Sequence, residues 1–188
     1  MIEFIEETHT YIKDGVILPC VSDILSFIFP QKYSGIPKEI LNKKADFGTH
    51  VHKAVELYEQ GIGEIPLTYI EEEAFLQYLK LRAKHDIKVK EQETMVSFLD
   101  IYAGRFDMIA TIDGHYSLAD IKTTATLDTE YLSWQLSLYE LAYGAMFEKL
   151  YAIWLPKKGL GKVVEIQRID RQVLFDKLRE YEENKEEI

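Results

Sequence analysis

Apolar and polar positions alternate along this chain with two periods, and the places where the period changes divide it into elements. Tyr11 to Lys13 and Val16 to Leu18 flank Asp14-Gly15, a dipeptide that supplies the positive φ values of a tight hairpin turn. After Pro19 the spacing of Ile24, Leu25, Phe27 and Ile28 predicts a short helix, with Ser22 as its cap and Pro30 as its stop. A loop punctuated by Pro and Gly runs on to Pro37. From about Lys43, the apolar positions Phe47, Val51, Ala54, Val55 and Tyr58 recur at steps of three and four, which predicts an amphipathic helix ending at Gly61. Thr68 and Glu71 have capping-box spacing ahead of a second helix with Ile70, Ala74, Tyr78 and Leu81 on one face.

Strand-like sequence follows over residues 87–98, 103–112 and 115–123, the last two joined by a second hairpin turn at Asp113-Gly114. A long helix is expected from about Thr129 to Glu148, capped by Asp128 and burying Leu132, Leu136, Tyr139, Tyr143 and Met146. Two further strands, 150–155 and 163–169, surround a turn at Pro156 to Gly159, and a helix capped by Asp170 leads into a charged tail over 182–188. No repeat or low-complexity linker interrupts the pattern. One α/β domain over residues 1–188 is expected, with a mixed, mostly antiparallel sheet flanked by helices; residues 1–42 pack on it as a hairpin and short helix.

Composition narrows the classes. In 188 residues, 47% hydrophobic content is enough for a core and excludes a disordered chain. A net charge of -10 repels nucleic acid and anionic membranes at long range, so any polyanion must be met locally. The longest apolar stretch, Leu150 to Leu155, is far short of a membrane span, and the acidic start lacks a cationic leader, so a cytoplasmic protein with no membrane partner is expected. The lone Cys20 excludes an internal disulfide, a multi-cysteine zinc site and a cysteine-ligated iron-sulfur cluster.

Candidate chemistry comes from the Asp113-Gly114 turn. A two-residue loop fixes the register so that paired residue numbers sum to 227, which sets Asp107 opposite Asp120 and Arg105 opposite Lys122. Two carboxylates so placed are mutually destabilising unless a cation lies between them. Lys122, two residues beyond Asp120, projects from the same face. Oxygen ligands of this kind suit Mg²⁺ or Mn²⁺, ions that activate water and neutralise charge on a phosphate, and phosphodiester hydrolysis is the reaction class implied. A solvated salt-bridge patch at a strand end is the competing reading.

Four motifs extend this cluster: Gly48-Thr-His-Val-His52, Gly104-Arg-Phe-Asp107, Asp120-Ile-Lys122 and Gln135-Leu-Ser-Leu-Tyr139. In this order, on a helix, two strands and a helix, they resemble the PD-(D/E)XK nuclease superfamily, in particular its RecB-like and phage-type exonuclease branch. The resemblance implies a restriction-endonuclease-like αβββαβ core. It implies that Asp107 and Asp120 bind the metal, that the Ile121 carbonyl adds a ligand, that His52 completes the metal site, and that Lys122 positions or activates the attacking water. A site glutamate on the preceding strand is matched best by Glu93, with Glu91 on the same face as the alternative. Gln135, Tyr139 and Arg105 are the expected DNA contacts, Tyr139 as ordinary core being the competing reading. Phe106 stands where the family name has proline.

Six basic residues between 149 and 171 (Lys149, Lys157, Lys158, Lys162, Arg168 and Arg171) are available to meet phosphates. The expectation is a Mg²⁺- or Mn²⁺-dependent deoxyribonuclease, an exonuclease in phage-type recombination or DNA end processing. A ring of subunits and a recombination partner protein belong to the same resemblance. The alternatives are an endonuclease on the same scaffold and a non-catalytic DNA- or protein-binding module.

Overall fold

The computed structural model describes residues 2–32, 38–63 and 66–186, with the side chains of 38–44 and 186 excepted. Most of the loop expected between Pro30 and Pro37 lies outside the described residues. Among the described residues, eight strands and five α-helices follow in order: β1 (Ile2–Ile5), β2 (Thr10–Lys13), β3 (Val16–Leu18), α1 (Val21–Ile28), α2 (Lys38–Glu59), α3 (Tyr69–Lys84), β4 (Lys88–Phe98), β5 (Tyr102–Ile112), β6 (His115–Lys122), α4 (Thr129–Tyr143), β7 (Lys149–Trp154), β8 (Lys162–Glu165) and α5 (Arg171–Glu186). A five-stranded sheet runs in the order β4-β5-β6-β7-β8, antiparallel except where β7 lies parallel to β6 after the α4 crossover. The succession from α3 to β7 is the expected αβββαβ core, a mixed sheet flanked by helices.

Strand alternation sends side chains to two apolar layers. Ile109, Leu118, Leu150 and Ala152 meet α1, α4 and α5 on one face. Met108, Ala110, Ile112, Ala119, Ile121, Tyr151 and Ile153 meet α2 and α3 on the other. The Asp113-Gly114 turn has both residues at positive φ and sets the register as expected: Ile112 faces His115, and the ladder continues to Met108 facing Ala119, each pair summing to 227.

Several local expectations are corrected. Ser22 lies inside α1; Cys20 is the N-cap, and its backbone N–H donates to Asp23 Oδ2 at 2.8 Å. Helix α2 starts at Lys38 instead of about Lys43. The Thr68–Glu71 capping box forms, the Thr68 N–H donating to Glu71 Oε2 at 2.7 Å, but Ile70 faces solvent, and the buried face is Glu71, Ala74, Tyr78 and Leu81. Helix α4 stops at Gly144, whose left-handed φ of 78° ends the hydrogen-bond ladder five residues early and leaves Met146 76% exposed. The charged tail continues α5 to Glu186.

Strand β1 was not expected and pairs with β2, so the N-terminal hairpin is a three-stranded sheet. It reaches the central sheet where Ala103 N–H donates to Pro19 O at 2.8 Å, and Tyr11 and Leu18 bury Ala103.

Candidate functional site

The central sheet opens at one end of the β5–β6 hairpin. Pairing with β6 ends at Met108–Ala119, and pairing with β4 passes from Gln92–Met108 to Thr94–Phe106, so Asp107 has no ladder partner on either side. Tyr102 and Phe106 pack with α1 and α4, whereas Met108 and Ala110 pack with α2 and α3, so the alternation of β5 changes face across Asp107. Across from it, Glu93 has a left-handed φ of 49°, an uncommon conformation for a side chain of this size. Asp107 and Asp120 are therefore not a ladder pair, and neither are Arg105 and Lys122; the register holds, but the strands separate just before these residues.

The freed Asp107 carboxylate turns across the opening. The Ile121 N–H donates to its Oδ2 at 2.6 Å, and its Oδ1 lies 3.4 Å from His52 Nδ1. Lys122 Nζ pairs by charge with Asp120 Oδ2. That oxygen is buried and has no aligned hydrogen-bond partner. The sheet opening thus gathers two carboxylates, an imidazole and an ammonium at its centre.

Helix α2 brings in His52 through spacing. Gly48 and His52 are one turn apart on one face, and a Cβ at Gly48 would lie 3.2 Å from Thr123 Oγ1, so glycine lets the helix sit against the end of β6. His50, two residues from His52, points instead to α3, with Nδ1 2.7 Å from Glu71 Oε1.

Charge balance shapes the titration of these groups. Burial disfavours the charged form of His52, but Asp107, by charge and by hydrogen bond, outweighs it and raises the imidazole above its ordinary value. Burial would raise Asp107, yet His52, Lys122 and the Ile121 amide hold it below the ordinary carboxylate value. Asp120 goes the other way: burial and then repulsion from Asp107 raise it, with Lys122 only partly offsetting them. Burial, followed by the Asp107 charge, pushes Glu93 up to about 7, against the pull of Arg105. Three carboxyl groups thus share the opening with one ammonium, one guanidinium and one imidazole.

Glu93 and Glu91 point to different surroundings because of the left-handed residue. Glu93 accepts a 2.8 Å ion pair from Arg105 Nε and feels Asp107, whereas Glu91 Oε1 accepts from the Tyr143 hydroxyl at 3.2 Å on the α4 side. Arg105 is thereby committed to Glu93, and its guanidinium lies 4.9 Å from the Phe4 ring centroid, not opposite Lys122.

Tyr139 is buried, so its ring has no face for a base; this corrects the expectation of it as a DNA contact and favours the competing reading of it as core. A Cβ at Gly104 would lie 2.7 Å from the Tyr139 ring and 2.9 Å from Val21; glycine at this position makes room for the tyrosine. Burial first, and then the Asp120 charge, raises the Tyr139 phenol well above its ordinary value, while the Gln135 amide hydrogen-bonds it. Gln135 Oε1 is buried without a partner. Of the basic set, Lys149 pairs with Glu165 at 2.6 Å and Arg168 with Glu140 at 2.6 Å, which commits both to internal structure.

Among the described residues, no three His, Cys, Asp or Glu side chains converge as a ready-made metal cage. The donor types still suit a hard divalent cation: the half-buried Asp107 carboxylate lies 3.4 Å from the His52 imidazole, and the buried Asp120 is close enough to feel the Asp107 charge. Sequence reasoning passed over Trp154, which the parallel β6–β7 register sets directly beside Lys122. Its only local signal is an indole closing an apolar run two residues before Pro156.

No helix among the described residues is long and apolar enough to cross a membrane. No family model matches the chain, and no curated protein matches it in sequence. Among solved structures, the crystal structure of SSO0001 superposes with a TM-score of 0.53 at 17% identity, covering 93% of this chain and 78% of that one. A phage-related exonuclease from Haemophilus somnus 129PT gives a TM-score of 0.41 at 12% identity, covering 87% of this chain and 89% of that one. The first likeness shows a shared fold, and the second is too loose to carry an assignment.

Proposed function

We propose that the chain is a Mg²⁺- or Mn²⁺-dependent deoxyribonuclease, acting as an exonuclease in phage-type recombination or DNA end processing. The observation that carries the reading is the pair of carboxylates, half-buried Asp107 and buried Asp120, gathered with Lys122 and His52 where the β5–β6 ladder opens. Carboxylates drawn together away from solvent are costly to a fold, and a bound cation offsets that cost.

In this reading Asp107, Asp120, His52 and the Ile121 carbonyl hold the ion, which when bound polarises the phosphate and lowers the pKa of a water. Lys122 orients that water and neutralises charge that develops on the phosphate. Glu93, whose carboxyl burial pushes up to about 7, takes in its ionised form the proton the water gives up. Gln135 and Tyr139 position the site from α4, with Tyr139 seated on Gly104. The partner is DNA met at an end, because an acidic surface offers phosphates only a narrow basic path. A ring of subunits and a recombination partner protein, in a bacterial or phage-infected cytoplasm, belong to the same proposal.

The test is incubation with end-labelled linear DNA and with covalently closed circular DNA, with and without Mn²⁺. Linear DNA is expected to be degraded only with the metal, and closed circles to be spared. Nicking of closed circles at the rate of linear digestion moves the assignment to an endonuclease, and no cleavage of either substrate overturns it.

A further inference from the structure

We infer that Trp154, with Lys162 and the Lys157–Lys158 turn, forms a binding track for single-stranded nucleic acid that leads from Lys122 across the ends of β7 and β8. Ladder partners share a sheet face, and Lys122 pairs with Trp154 and Trp154 with Lys162. The three side chains make a row across the sheet in the order ammonium, indole, ammonium. With strands ~4.8 Å apart, the backbone positions of the two lysines lie on either side of Trp154 and about 10 Å from each other.

Trp154 is not there to fill a core. It is half-buried, yet among the described residues it belongs to none of the three apolar clusters, whereas Trp134 packs against the largest of them. Its Nε1–H donates to Thr124 O at 2.7 Å, which locks the plane of the ring. A large aromatic surface held rigidly outside the core binds planar groups at little entropic cost.

A further cation lies at the same end of the sheet, toward α2. Lys157 Nζ lies 4.0 Å from the Phe47 ring centroid, and Phe47 adjoins Gly48, which sits against Thr123. Lys157, Lys158 and Lys162 are exposed. An indole flanked by ammonium groups matches a strand whose bases are unstacked and whose phosphates lie to either side; a duplex keeps its bases stacked and offers the indole no face. The inference rests on the nuclease reading for its biological sense, but binding along the track needs no cleavage.

The experiment uses the full chain with Trp134→Phe, which leaves Trp154 as the single indole. A short dye-labelled oligothymidylate is titrated in EDTA, with binding followed by dye anisotropy and stacking by tryptophan emission. Saturable binding with quenching of Trp154 is expected. Trp154→Ala in the wild-type background is expected to weaken binding about ten-fold or more. Lys162→Ala is expected to reduce the slope of log affinity against log salt by about 0.7. The inference is overturned by absence of binding, by binding without an emission change, by a Trp154→Ala variant that binds as wild type, or by a blunt duplex that binds as tightly as the single strand. The two proposals fail separately. Quenching without any Mn²⁺-dependent cleavage overturns the nuclease reading and leaves the track, whereas cleavage without quenching does the reverse.

Discussion

From the Asp113-Gly114 turn to the Met108–Ala119 pair, the β5–β6 hairpin is fully laddered, and Ile109, Ala110, Leu118 and Ala119 are buried between helices on both faces. From Asp107 and Asp120 onward the ladder stops, the alternation of β5 changes face, and two carboxylates share the opening with a lysine and a histidine. One stretch of chain therefore holds a region where every local choice favours the fold and, within a few residues, a region where buried charge opposes it. Functional sites commonly carry such conflict, and the fold supports it from elsewhere. Here the support comes from Gly104 beneath Tyr139 and from Gly48 against Thr123.

Substitutions on the two sides of this boundary should behave differently. The largest effect is expected for Lys122→Ala in the open half, a loss of at least about 10²-fold in cleavage rate, with DNA affinity largely kept. Unchanged turnover in a labelled-DNA assay removes Lys122 from the chemistry. Next is Gly104→Ala, which puts a methyl group 2.7 Å from the Tyr139 ring; overpacking of this kind costs about 1–3 kcal/mol and is read from chemical denaturation. Activity is expected to fall with it, because the ring seated there neighbours Asp120. Ile109→Val, in the laddered half, is expected to cost about 0.5–1.5 kcal/mol and to leave the cleavage rate unchanged. A rate loss there places chemistry beyond the boundary.

The smallest effect is a slope. Glu93 and Asp120 ionise less readily in the folded protein than in the unfolded chain. As pH rises through the ordinary carboxylate range the unfolded chain loses its protons first, so stability falls until the folded groups ionise, near pH 7 for Glu93. His52, raised in the folded state, adds in the same direction, since its stabilisation is lost as pH rises through the folded value. Asp107, held low, acts oppositely and only at the acid end. Thermal melts of metal-free protein should therefore show a melting temperature that declines from about pH 4.5 to 7, and Asp120→Asn should flatten the decline. A melting temperature that rises across that window contradicts the charge balance described.

Much of the laddered half was legible in the sequence because its determinants are local. Asp113-Gly114 specifies a turn type, the turn specifies a register, and the register places residue against residue without knowledge of the rest of the chain. The point where the ladder ends was not legible, because it depends on the left-handed Glu93 in a different strand and on which helix covers each face of β5. The early stop of α4 had a visible marker in Gly144, but Met146 continued the apolar spacing and masked it. Trp154 acquires its place beside Lys122 only through a parallel pairing closed by the α4 crossover, a long-range event that no local pattern announces. Arg105 has the look of a DNA contact in the sequence because its partner Glu93 lies on a different strand.

The central claim, that the opening is a divalent-cation site, is tested most directly by calorimetric titration of Mn²⁺ into the wild-type protein and into Asp120→Asn at neutral pH. Saturable binding to wild type that is lost in Asp120→Asn is the result expected. Equal binding to both proteins, or none to either, contradicts the claim.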